Sequence, residues 1–196
     1  MDEKQPEEIW LPTAEELKIE LAREEAKSGF RRGMLNVLVV LVVAAAITVL
    51  IATRLLVLIR IEGNSMSPTL DPNEIIFLRQ TRKIETGDIV GFYYGGRILL
   101  KRAIGVAGDQ IEIDEEGNVF VNDEMVEEPY LTEKHLGKCD IKFPYEVPEE
   151  TIFVLGDNRA VSVDSRTRSI GCVTENQIVG KAVFRAWPLD HVGIMR

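Results

Sequence analysis

The sequence predicts a mostly β domain, an antiparallel barrel or sheet, behind a single membrane-spanning helix. Residues 35–53 read LNVLVVLVVAAAITVLIAT and carry no charge. Past Arg60 the pattern changes to short runs rich in Val, Ile, Phe and Tyr, separated by Gly, Pro, Asp and Asn, and many short strands at close spacing belong to an antiparallel domain. The chain of 196 residues, 45% hydrophobic, suffices for one core plus an anchor.

Each element has its own signal. In the tail, residues 1–33, Thr13 and Glu16 have capping-box spacing ahead of Leu17 and Leu21, which predicts a short cytoplasmic helix with a solvated charged face. The anchor, residues 34–54, meets the length of about 20 apolar residues needed to cross about 30 Å of hydrocarbon. Its apolar run lacks Asp, Glu and Pro, so its backbone can close its own hydrogen bonds. A buried core helix rarely stays uncharged on every face, and a cleaved secretory signal would be shorter and nearer the N-terminus. Arg23, Lys27, Arg31 and Arg32 precede the run and Arg54 and Arg60 follow it, which favours a cytoplasmic N-terminus and an external domain from residue 55 to 196. Strands are expected at 55–62, 74–79, 88–94, 97–106, 110–114, 118–121, 152–155 and 181–186. Residues 127–150, rich in Pro, Glu and Lys, read as an excursion from the sheet. The apolar runs 75–78 and 92–94 read as buried strand or as a surface meeting a bilayer, where aromatic side chains favour the interface.

The formal charge of −9 argues against a nucleic-acid partner, which demands a basic face. Cys139 and Cys172 make no disulfide framework, although the one pair can form outside the cytoplasm. His135 and Cys139 are four apart, but further ligands for a metal are missing, and no cofactor is expected.

Three segments carry chemistry. EGNSMSPTL, residues 62–70, puts serines in a turn directly after an apolar strand; such a turn presents a hydroxyl beside free amides, as acyl transfer requires, and it is equally an ordinary Gly-Asn-Ser-Pro turn. ILLKRAIGVAGD, residues 98–109, sets Lys101 in an apolar run with Leu99 and Ala103 on the same strand face. A desolvated lysine loses its charge more readily and can serve as a base; alternatively Lys101 snorkels at an edge while Arg102 faces solvent. GDNRAVSVDSRTRSIGCV, residues 156–173, is dense in hydrogen-bonding groups: Asp164 and Arg166 are placed to pair, Ser162 to orient a neutral amine, and the bland alternative is a polar turn.

Together and in this order the segments resemble the type I signal peptidases, with the similarity running from the anchor to Gly193. GNSMSPTL resembles that family's nucleophile box and implies Ser65, not Ser67, as nucleophile, its amide contributing to the oxyanion hole. KRAIGVAGD resembles the lysine box and implies Lys101 as general base. GDNRAVSVDSR resembles the third box, which implies that Ser162 hydrogen-bonds the lysine and that Asp164 and Arg166 form a structural pair. GKAVFRAWPLDHVG is similar to the closing strand. Some members carry a hydroxyl two residues before the nucleophile; here that position is Gly63.

The resemblance implies a signal-peptidase-type β ectodomain, a bilayer-anchored serine endopeptidase, and preproteins with N-terminal signal peptides as partners. It leaves the oligomeric state open. Two other readings are a self-cleaving Ser–Lys repressor peptidase, whose DNA-binding domain an acidic tail and an anchor replace here, and a catalytically inactive membrane-tethered β module that binds exported proteins. Retention of both Ser65 and Lys101 separates an enzyme from a pure binder.

Overall fold

The computed structural model describes residues 13–195, without the side chains of 24–29, 32 and 51–54. The first twelve residues of the predicted tail, and the flanking Lys27, Arg32 and Arg54 side chains used for orientation, lie outside what is described. One helix, α1 (Ala14–Leu55), runs for 42 residues. The tail helix is therefore not short: it continues through the anchor, since no residue between Ala14 and Leu55 is a proline. Its start is capped as expected, the Glu16 carboxylate accepting from both the amide and the hydroxyl of Thr13, at 2.9 Å each. Within it, Gly33–Leu50 is long and apolar enough to cross a membrane, with a mean hydropathy of 2.6.

The remaining chain is antiparallel β structure. Its strands are β1 (Leu56–Arg60), β2 (Ile75–Arg79), β3 (Ile89–Tyr94), β4 (Arg97–Val106), β5 (Gln110–Ile113), β6 (Val119–Val121), β7 (Glu124–Met125), β8 (Tyr145–Glu146), β9 (Thr151–Leu155), β10 (Val173–Thr174), β11 (Ile178–Trp187) and β12 (Gly193–Ile194). The larger sheet has the order β1-β2-β11-β3-β4-β9-β10 with β12 beside β11, and the smaller has the order β7-β6-β5-β8. Both sheets are open. Of the barrel-or-sheet expectation, the sheet is what forms: the path ends at β1 and β10, and among the described residues nothing pairs those two edges.

Alternation explains which side chains of β2 are inside. In β2, Ile76 and Leu78 are fully buried while Ile75 and Phe77 are half-buried. Phe92 is buried on β3, whereas Tyr93 and Tyr94 are exposed. One apolar cluster joins the sheets through Ile104, Phe153 and Leu155 of the larger and Ile111, Ile113 and Val119 of the smaller. Another, built on Ile61, Met66, Leu70, Ile76 and Leu78, lies under the loop between β1 and β2. The β4 strand, central in the larger sheet, is buried on both faces from Leu100 to Gly105.

Candidate active site

The loop between β1 and β2 holds the first candidate residue. Its ends are pinned by Ile61 N–H donating to Glu74 O at 2.9 Å and Asn73 N–H to Ile61 O at 2.8 Å. Inside it, Met66 and Leu70 are driven into the core and joined by Leu70 N–H to Met66 O. Ser65, between the exposed Asn64 and the buried Met66, is left half-buried. Its own N–H makes no hydrogen bond among the described residues. Its carbonyl accepts from Asn158 N–H at 3.0 Å. The Ser67 hydroxyl is turned into the loop, donating to Asp71 Oδ1 at 2.8 Å.

Two arginines from the sheet grip this loop at Thr69. Arg185 on β11 donates to the Thr69 carbonyl at 2.5 Å, and its Nε stands 3.2 Å from the buried Glu74 carboxylate. Arg102 on β4 reaches the Thr69 hydroxyl at 3.4 Å. Burial raises the Glu74 carboxyl above the usual range, with Arg185 opposing that rise.

Lys101 lies on β4 opposite Val90 of β3 and is only 3% exposed. Its Nζ is 2.7 Å from Ser65 Oγ and donates to Leu100 O at 3.1 Å. Desolvation pushes the ammonium down to about 8; the carboxylates of Asp164 and Asp157 oppose that, and Arg166 assists it. The neighbouring Arg102 does not face solvent, as one sequence reading allowed. It is buried, paired through two bonds with Asp157 at 2.9 and 2.6 Å, and covered by the Tyr130 ring at 3.8 Å. A strand buried on both faces desolvates the guanidinium, and the two-bond carboxylate pairing offsets that cost.

The third segment packs against both. Asp164 and Arg166 form a pair with two bonds of 2.8 Å, wholly buried. Arg166 spends its remaining donors on carbonyls, Leu136 at 2.5 Å and Arg159 at 3.0 Å, while Asp164 accepts from Gly156 N–H at 2.9 Å. The pair thus ties the excursion 127–150 to the turn after β9. Ser162 lies in the same turn, and its buried Oγ makes no hydrogen bond among the described residues. The contact from Ser162 to the lysine amine expected from sequence is absent in this geometry. A Cβ on Gly156 would stand 2.1 Å from Ser162 Oγ and 2.6 Å from Ser65 O, so only glycine lets these groups converge.

Ser65 and Lys101 are therefore in contact, and Ser162, Asp164 and Arg166 flank them. Sequence reasoning missed Thr69, Glu74, Asp157, Arg159, Arg185 and the Glu128 carboxylate that binds Arg159 through two bonds. The GDNR run signalled Asp157 and Arg159, whereas Glu128 sits in an excursion with no pattern to reveal it. Among the described residues no cluster of His, Cys, Asp and Glu could hold a metal ion, and Cys139 and Cys172 are both free thiols.

Residues 34–187 match the sequence profile of a family described as signal peptidase, peptidase S26. Signal peptidase I of Bacillus amyloliquefaciens is 32% identical over 180 residues, covering 86% of this chain and 96% of its own. Signal peptidase I U of Bacillus subtilis is 38% identical over 147 residues, 67% of this chain and 76% of its own. Signal peptidase IB of Staphylococcus aureus is 33% identical over 181 residues, 82% and 93% respectively.

Proposed function

Since the chain belongs to the signal peptidase family, peptidase S26, we propose that it is a membrane-anchored serine endopeptidase that removes N-terminal signal peptides from exported preproteins with a Ser65–Lys101 dyad. One observation carries the mechanism: an Nζ held 2.7 Å from a serine hydroxyl, in a setting that brings the lysine down to about 8. A neutral amine at that distance accepts the hydroxyl proton as Oγ forms its bond to the scissile carbonyl carbon. The Ser65 N–H, without a protein acceptor among the described residues, is the donor available to the developing oxyanion. The C–N bond then breaks, Lys101 returns the proton to the leaving amine, and the neutral lysine activates a water that hydrolyses the ester on Ser65. Asp164 and Arg166 keep the turn after β9 in place, and Ser162, in that turn with an unpartnered buried Oγ, is the acceptor offered to the Lys101 amine.

The substrate has an edge to lie on. β4 pairs with β3 along Arg97–Arg102 but with β9 only from Arg102 onward. The edge of Ile98–Leu100 facing away from β3 is therefore open beside Lys101 and suits an extended peptide, together with the strand leading into Ser65. The family resemblance implies small side chains at the first and third positions before the cut. The apolar stretch Gly33–Leu50 anchors the enzyme, with the N-terminus on the cytoplasmic side by the distribution of basic residues.

The test is cleavage of a purified preprotein by the detergent-solubilised wild type beside Ser65→Ala and Lys101→Ala. Cleavage by the wild type alone, after a small-residue site, is the expected result. Full activity in Lys101→Ala would remove the dyad, and binding without cleavage by the wild type would favour the tethered binder.

A further inference from the structure

A cavity of about 280 Å³ opens beside the candidate dyad, between Ser67–Pro68 of the nucleophile loop and the turn after β9, with Glu133 and His135 of the excursion on its rim. We propose that this cavity receives the first side chains of the mature protein, downstream of the cut bond, and that Glu133 makes it favour cationic over anionic residues there. This rests on the peptidase reading above and adds a specificity element to it.

The path of the chain argues for the location. A peptide on the open edge of Ile98–Leu100 runs up to Lys101, and from Arg102 that edge is taken by β9, with Leu155 opposite Arg102. The part of the substrate beyond the scissile bond cannot continue along the sheet and must leave it at the dyad. On the side away from the strand that leads into Ser65, the gap between Pro68 and the turn after β9 lies open to it. The two walls are fixed to each other, because Asn158 N–H holds the Ser65 carbonyl.

Charge bookkeeping around the cavity argues for the preference. Asp157 is neutralised by Arg102 through two bonds. Arg159 is neutralised by Glu128, also through two. His135 Nδ1 accepts from Gly137 N–H at 3.2 Å. Glu133 is exposed and has no ion pair or hydrogen bond among the described residues. Of the carboxylates that line the cavity, Glu133 alone has no partner charge among the described residues, and at an exposed site a pairing is worth about a fivefold preference at most and a like charge a similar penalty.

The experiment uses the full chain in detergent and a preprotein with alanine at the first three mature positions. Lys or Glu is then placed at each of the three in turn, and kcat/KM is compared. At one position or more, the lysine substrate should be cut about fivefold faster than the glutamate one. Glu133→Gln should bring that ratio close to one and Glu133→Lys should invert it, with melting curves confirming that both variants fold. Glu115→Lys, an exposed site in the turn between β5 and β6, makes the same charge change and should leave the ratio as in the wild type. A ratio near one at all three positions, or one indifferent to both Glu133 variants, overturns the proposal while leaving the peptidase reading intact. Failure of the wild type to cut even the alanine preprotein overturns both.

Discussion

At the scale of the residue, the burial of Lys101 is the feature with the most measurable consequences. Its folded-state value near 8 lies below the ordinary 10.5. Below about 8 the amine is protonated and cannot act as base, so kcat/KM should climb with pH and level off above that value, which a pH–rate profile checks. Burial also costs stability. Between about 8 and 10.5 the unfolded chain binds a proton that the folded one does not, so stability rises with pH across that window. Lys101→Met should abolish cleavage yet make the fold more stable at pH 7 by roughly 3 kcal/mol, an advantage lost above pH 10.5 in urea titrations. Gly63 offers the opposite experiment. A Cβ there meets nothing within 4 Å, so Gly63→Ser fits, and its hydroxyl would give the oxyanion a second donor. A rise in kcat of about tenfold, with KM little changed, is the expected outcome.

At the scale of the element, what the sequence discloses depends on length and pattern. The strands β1 to β6, β9 and β11 were legible because each is three residues or longer and bounded by turn residues, as at Asp71-Pro72-Asn73 and Gly95-Gly96. The two-residue β7, β8, β10 and β12 were not, because a pair of residues has no alternation to read. The three chemical segments were legible by type and order, but their contacts were not. Nothing in sequence spacing tells that Arg102 turns inward to Asp157, or that Ser162 ends without a partner. The place of β11 between β2 and β3 was equally hidden. It depends on Gly180, where φ is +157° and a Cβ would stand 2.2 Å from the Arg79 carbonyl oxygen. Gly180→Ala should destabilise the sheet by about 1–3 kcal/mol, visible as an earlier thermal midpoint.

At the scale of the whole molecule, the described residues divide at Ala52 into two units, and the second contains both members of the proposed dyad. A chain of residues 53–196 should fold by itself with the circular dichroism of an antiparallel sheet and should cut preprotein in detergent. Loss of its tertiary structure would show that the sheet depends on the helix. The wholly buried Arg166 guanidinium has a further consequence at this scale. It clasps the excursion to the sheet through Asp164 and the Leu136 and Arg159 carbonyls, the job a disulfide performs in many small exported domains. The clasp has no redox chemistry, and both cysteines are free. The domain should therefore melt at the same temperature with and without dithiothreitol, holding its shape equally on the reducing and the oxidising side of a membrane.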